Sequence, residues 1–180
     1  MGGETRSRIH SRRLEMDGYR RDDGLWEVEA RLVDRKDRDF ELSFRGRLPP
    51  GEPVHDMFLR VVVDERRVIR GIEARMGASP FPSCPGATEA FQELAGLRIG
   101  PGWLKEARRL VGGVAGCTHL FEMLGPIATT VYQTMVPLTE KERIADAGRP
   151  PAILDSCHGW RRGGEAVERL LPEWFRPAED

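Results

Sequence analysis

The stretch that decides the fold is Trp26-Glu27-Val28-Glu29-Ala30-Arg31-Leu32. Its apolar residues Trp26, Val28, Ala30 and Leu32 alternate with Glu27, Glu29 and Arg31. Side chains of a β-strand point alternately to opposite faces, so this period predicts a strand with one buried and one solvated face. Asp22-Asp23-Gly24 just before it is a turn signal. Downstream, Phe40, Leu42 and Phe44 alternate again, and Pro49-Pro50-Gly51-Glu52-Pro53 interrupts the chain. Met57, Leu59, Val61 and Val63 then form the clearest strand face, with Phe58 and Val62 on the other side. Asp64–Arg67 is a polar turn, and Val68–Met76 is a second β-rich run, which predicts a hairpin.

After Met76 the pattern changes. Ala78–Gly86 is a proline-rich loop that carries Cys84. Ala87, Phe91, Leu94 and Ala95 fit a short helix stopped by Gly96. Trp103, Leu104, Ala107, Leu110 and Val111 fit a second helix ended by Gly112-Gly113. A third starts near Thr118 and carries Leu120, Met123, Leu124, Ile127, Ala128 and Val131, with Pro126 inside it expected to kink it or shift its start. Strands first and helices second predict an α+β fold: an antiparallel sheet followed by a helical half. A length of 180 residues suits a single domain. Residues 1–6 are expected to be a disordered tail. Residues 137–150 are expected to form a mobile linker before a C-terminal helix around Glu165–Leu171.

Composition narrows the function classes. With 28 basic and 29 acidic residues the formal net charge is −1, which argues against a nucleic-acid or anionic-membrane binder. No stretch approaches the roughly 20 apolar residues of a membrane span. The first thirty residues lack the apolar core of a signal peptide. Three cysteines, an odd number without a secretory signal, point to free thiols in a reducing cytoplasm.

The chemistry-bearing residues are few. There are three cysteines and four histidines. Most of them fall in dense segments: His55-Asp56-Met57, Ser83-Cys84-Pro85-Gly86, Gly116-Cys117-Thr118-His119 and Ser156-Cys157-His158-Gly159. Cys117 stands where a helix begins, and unpaired backbone N–H groups there favour a thiolate or an oxyanion. His119 follows two residues later. His55 opens the best strand, followed by Asp56, which could orient a histidine or act as a base. His55, Cys84, Cys117 and His119 together would make a set of two thiols and two imidazoles acceptable to zinc or iron. Cys157 and His158 are a second such pair. Arg8, His10 and Arg12 share one face of an N-terminal strand and could bind a carboxylate or phosphate. An exposed edge protected by charge explains the same residues.

Two resemblances rest on these segments. Ile9-His10-Ser11-Arg12, Gly18–Trp26, His55-Asp56-Met57, Gly116–Leu120 and Asp155–His158 resemble, in that order, the signature blocks of a bacterial family known only as a domain of unknown function. That resemblance implies no activity. Residues 52–135 are similar, more faintly, to the U-type scaffold proteins of iron–sulfur cluster assembly. In that likeness Cys84 matches the cysteine after the hairpin and Cys117 the cysteine before the last helix. The family's first cysteine has no counterpart: Pro53 stands near its place and His55 where an Asp belongs. His119 follows the last cysteine instead of preceding it. Fewer thiolates favour a mononuclear ion over a transferable cluster.

The leading expectation is therefore a Cys/His centre holding zinc or iron, with hydrolase or lyase chemistry on a small molecule, an anionic one where the arginines bind it. Arg8, His10 and Arg12 would be its substrate contacts, and Asp56, Cys117 and His119 its catalytic residues. Two alternatives stay open: a thiol enzyme without metal, with Cys117 as nucleophile and His119 or His55 as base, and a non-enzymatic metal or iron–sulfur carrier with a protein partner.

Overall fold

The structure is a computed structural model that describes residues 5–136, 150–151 and 153–177. The expected linker at 137–150 therefore lies almost wholly outside the described residues, as does most of the expected tail at 1–6. Contacts group the chain into two compact units, Met1–Met135 and Val136–Asp180.

The first unit is α+β. Four long strands form an antiparallel sheet in the order β1-β2-β5-β6: β1 is His10–Arg20, β2 Trp26–Lys36, β5 Pro53–Val63 and β6 Ile69–Ala78. A small hairpin of β3 (Phe40–Leu42) and β4 (Gly46–Leu48) is inserted between β2 and β5. A 3-10 segment, Cys84–Leu94, follows the sheet, then helix α1 (Trp103–Val111) and helix α2 (Thr118–Thr134). The expected hairpin is β5–β6. Its turn is tied by Asp64 Oδ1, which accepts from the backbone N–H groups of Arg66 and Val68, both at 2.9 Å. The expected helix at 87–95 is wound as 3-10, with Phe91 and Leu94 buried.

The period-two reading of β2 and β5 holds, and the register aligns the two faces. Across β1, β2 and β5 the inner face runs in rows: Gly18–Val28–Val61, Met16–Ala30–Leu59, Leu14–Leu32–Met57 and Arg12–Asp34–His55. The β2 and β5 members of the first three rows are buried. Burying a side chain of this size stabilises a fold by about 1.5–3 kcal/mol. The fourth row is polar. A register shift follows directly at Asp34/Arg35, and such irregularities bend a strand and re-aim its side chains.

Helix α2 lies on this inner face, burying Leu120, Met123, Leu124, Ile127 and Val131. It runs continuously through Pro126. Thr130 Oγ1 donates to the sulfur of Met16 at 3.4 Å. At Gly18 the helix comes so close that an added Cβ would meet Thr134 Oγ1 at 1.9 Å. The C-terminal end of α2 is thus seated over Gly18, and its N-terminal end reaches the polar row. The opposite face of the sheet is charged and solvated, with Arg60–Glu73, Arg75–Glu73 and Arg31–Asp56 ion pairs. Among the described residues no helix is long and apolar enough to cross a membrane.

In the second unit, helix α3 spans Glu165–Leu170, close to the expected segment, with Val167 buried. Asp155 accepts from the Arg162 backbone N–H at 3.0 Å and from its Nε at 2.8 Å. Cys157 is exposed, and His158 opens a short 3-10 turn.

Candidate metal centre

The site is built on Asp34. The buried face of β2 continues one step past Leu32 and places a carboxylate where the next apolar residue would stand. The Asp34 side chain is 2% exposed. A carboxylate so enclosed must be paired and hydrogen-bonded; here Arg12 and His55 supply the hydrogen bonds, and His10 and His119 stand beside them. From β1, Arg12 forks onto both oxygens, Nε to Oδ1 at 2.8 Å and Nη2 to Oδ2 at 2.7 Å. Also from β1, His10 Nε2 lies 3.3 Å from Oδ1. From β5, His55 Nδ1 lies 3.1 Å from Oδ2. From the first turn of α2, His119 Nε2 lies 3.8 Å from the same Oδ2. Three of the chain's four histidines surround one acid.

Several local features fix this geometry. Arg12, Asp34 and His55 are direct cross-strand neighbours, so pairing alone brings them side by side. His119 is carried in by the helix. Its ring packs against that of His55, with centroids 3.8 Å apart and a tilt of 30°. One turn along α2, Glu122 Oε2 accepts from Arg12 Nη1 at 2.7 Å.

Charge follows from these contacts. Burial pushes the Asp34 carboxyl up, but hydrogen bonds and charge from Arg12, with the charges of His55 and His10, hold it below the ordinary carboxylate range. Burial, then the neighbouring His119, pulls the His55 imidazole below the usual histidine range. Burial, then Arg12, does the same to His119. The arrangement is an ionised acid beside two imidazoles biased to the neutral form. An ionised carboxylate only accepts, so His55 carries its proton on Nδ1 when it bonds to Asp34.

One ligand-capable atom each from Asp34, His55 and His119 lies within 4.8 Å of the others. Among the described residues these three make a metal-competent group. Of the residues singled out from sequence, His55 and His119 are in it. Cys117 sits beside it, with Sγ 3.9 Å from His119 Nδ1. Cys84 opens the 3-10 segment that packs on β6 and does not join the group. Asp56 points to the other face of β5, where Arg31 forks onto it at 2.8 and 2.7 Å. His10 and Arg12 both reach Asp34. Arg8 instead binds Asp37, at 2.8 and 2.7 Å. Asp34 and Glu122 were not singled out from sequence. For Asp34 the signal was present in the strand alternation that ends on it.

A family model matches residues 10–133, a family described as a protein of unknown function (DUF2889). The chain belongs to that family. The DUF2889 stretch begins at His10 and contains Arg12, Asp34, His55, Cys117, His119 and Glu122, so the whole site lies inside it. Cys157 and His158 fall outside it. No curated protein and no solved structure matches the chain, and the likeness to iron–sulfur scaffolds gains no support from either comparison.

Proposed function

We propose that this chain is a metal-dependent enzyme of hydrolase or lyase type acting on a small molecule. Asp34, His55 and His119 would hold one zinc or iron ion. The observation that carries the reading is the convergence of one carboxylate and two imidazoles within 4.8 Å. Two histidines and one acid are a ligand set of catalytic zinc and of non-haem iron, and three protein ligands leave positions open for water and substrate. An ion there would activate a water or polarise a carbonyl. A cytoplasmic setting, inferred from the thiol count, would keep Cys117 reduced at the rim. With Cys84 outside the group, a mononuclear ion fits better than a carried cluster.

The test is elemental analysis of protein purified without an affinity tag, followed by zinc and cobalt titration of the chelated protein. One equivalent of metal per chain is expected, lost in His55→Ala and His119→Ala. Protein that neither retains nor takes up a metal overturns the reading.

A second reading has its own observation. His119 faces Cys117 Sγ through Nδ1 at 3.9 Å and Asp34 Oδ2 through Nε2 at 3.8 Å. A thiol, an imidazole and an acid in that order could support nucleophilic catalysis by Cys117, with His119 as base. Alkylating Cys117 in metal-free protein separates the two. It abolishes turnover on this reading and leaves metal uptake intact on the first.

A further inference from the structure

We infer that Arg12 is not a substrate anchor but the positioning residue that makes Asp34 a one-oxygen ligand and fixes helix α2, with His119, over it. This deepens the metal reading and rests on it. Arg12 Nε and Nη2 are spent on the two oxygens of Asp34, and Nη1 on Glu122. All three guanidinium nitrogens are engaged within the protein, which leaves a poor site for an incoming anion.

The division of Asp34 points the same way. Oδ1 is held by Arg12 Nε and faces His10. Each oxygen accepts one Arg12 N–H, but Oδ2 also faces both His55 and His119. An ion taken up by the two imidazoles would meet Oδ2, while Arg12 Nε keeps Oδ1 turned away from it. A planar guanidinium can hold a carboxylate at this angle because its two parallel N–H groups match the two oxygens. A lysine carries the same charge as a point and cannot fix the plane.

Glu122 completes the device. It lies one turn beyond His119 on α2, so the third nitrogen of Arg12 ties the helix that delivers one imidazole to the strand pair that supplies the acid and the other imidazole. Elements far apart in sequence thus meet at one guanidinium, which orients a ligand and sets the spacing between ligands. Residues that orient metal ligands in this way typically change metal affinity about 10–100-fold when replaced.

The experiment is cobalt titration of chelated wild-type protein, Arg12→Lys, Arg12→Gln, Glu122→Gln and, as a matched control on the other face, Arg31→Lys. Each is followed by calorimetry and by the visible ligand-field spectrum, at a temperature where circular dichroism shows all of them folded. Arg12→Lys should bind at least tenfold more weakly and with an altered spectrum, because charge without the fork does not hold Oδ1. Arg12→Gln should do the same or worse. Glu122→Gln should weaken binding less, and Arg31→Lys should match wild type. If Arg12→Gln does not fold, the lysine variant decides the question. Wild-type affinity and an unchanged spectrum in Arg12→Lys overturn the inference while leaving the metal reading standing. Wild-type protein that binds no cobalt overturns both.

Discussion

Two arginine–aspartate forks on neighbouring strands have the same bond lengths and opposite surroundings. Arg12 meets Asp34, and Arg31 meets Asp56, each pair at 2.8 and 2.7 Å. The first carboxylate is 2% exposed and faces three histidines under a helix. The second is 20% exposed and faces solvent on the other side of the sheet. Arg31 holds the Asp56 carboxyl below its ordinary range, as Arg12 does for Asp34. Geometry of the pair therefore does not mark a site. What distinguishes Asp34 is burial and the company of groups that can share a ligand.

The largest expected difference between the forks is in metal affinity. Asp34→Asn removes the anionic oxygen and should weaken zinc or cobalt binding by more than about 100-fold, since a neutral amide is a poor substitute for a ligating carboxylate. Asp56→Asn should stay within about threefold of wild type. Equal losses in the two variants, measured by calorimetric titration, would break the comparison and shift attention to the outer face.

A smaller difference is expected in stability. Removing Arg12 leaves a buried carboxylate without its main partner. Breaking a buried pair costs about 3–5 kcal/mol. Arg12 is itself 40% exposed, so water can partly replace it and about 2–3 kcal/mol is expected for Arg12→Gln. Removing Arg31 from its solvated pair should cost no more than about 1 kcal/mol. Urea unfolding of metal-free protein gives both values. A cost for Arg31→Gln equal to that for Arg12→Gln would show that burial of Asp34 is not the source of the asymmetry.

The same contrast explains what could be read from the sequence. The sheet was legible because Trp26, Val28, Ala30 and Leu32 keep period two, and so do Met57, Leu59, Val61 and Val63. Helices α1 and α2 were legible because their apolar residues recur at helical spacing. The histidines of the site were found because histidine is rare here. Asp34 does not stand out in the sequence because carboxylates are common in this chain and usually solvated. Only continuing the strand's alternation by one residue separates it from the others. Asp56 draws notice because it follows His55, but adjacent strand residues face opposite sides, so the alternation that points to Asp34 moves Asp56 away. Which residue of β2 stands across from His55 depends on register, and no short pattern in one chain states that. Glu122 is placed by the docking of α2, which depends on the whole inner face, including the lack of a side chain at Gly18.

The smallest expected effect, and the one that isolates the histidines, is in pH dependence. Both forks contain an acid whose folded pKa is depressed. Such a group contributes stability above its unfolded pKa of about 3.9 that is lost as pH falls through the folded value. Below pH 4 both forks should therefore lose stability as the solution is acidified. His55 and His119 are also depressed, chiefly by burial. In the range below the ordinary histidine pKa of about 6.5, the unfolded chain takes up protons that the folded site resists. Stability then falls as the solution is acidified, and it does so at a pH where both carboxylates remain ionised. Only the Asp34 side of the sheet has this component. Urea midpoints of chelated protein should drop between pH 7.5 and pH 5.5. His55→Gln with His119→Gln should flatten that drop, whereas Asp56→Asn should leave it unchanged. A drop that survives loss of both imidazoles would assign it to groups away from the site. The two forks would then differ in burial but not in protonation chemistry.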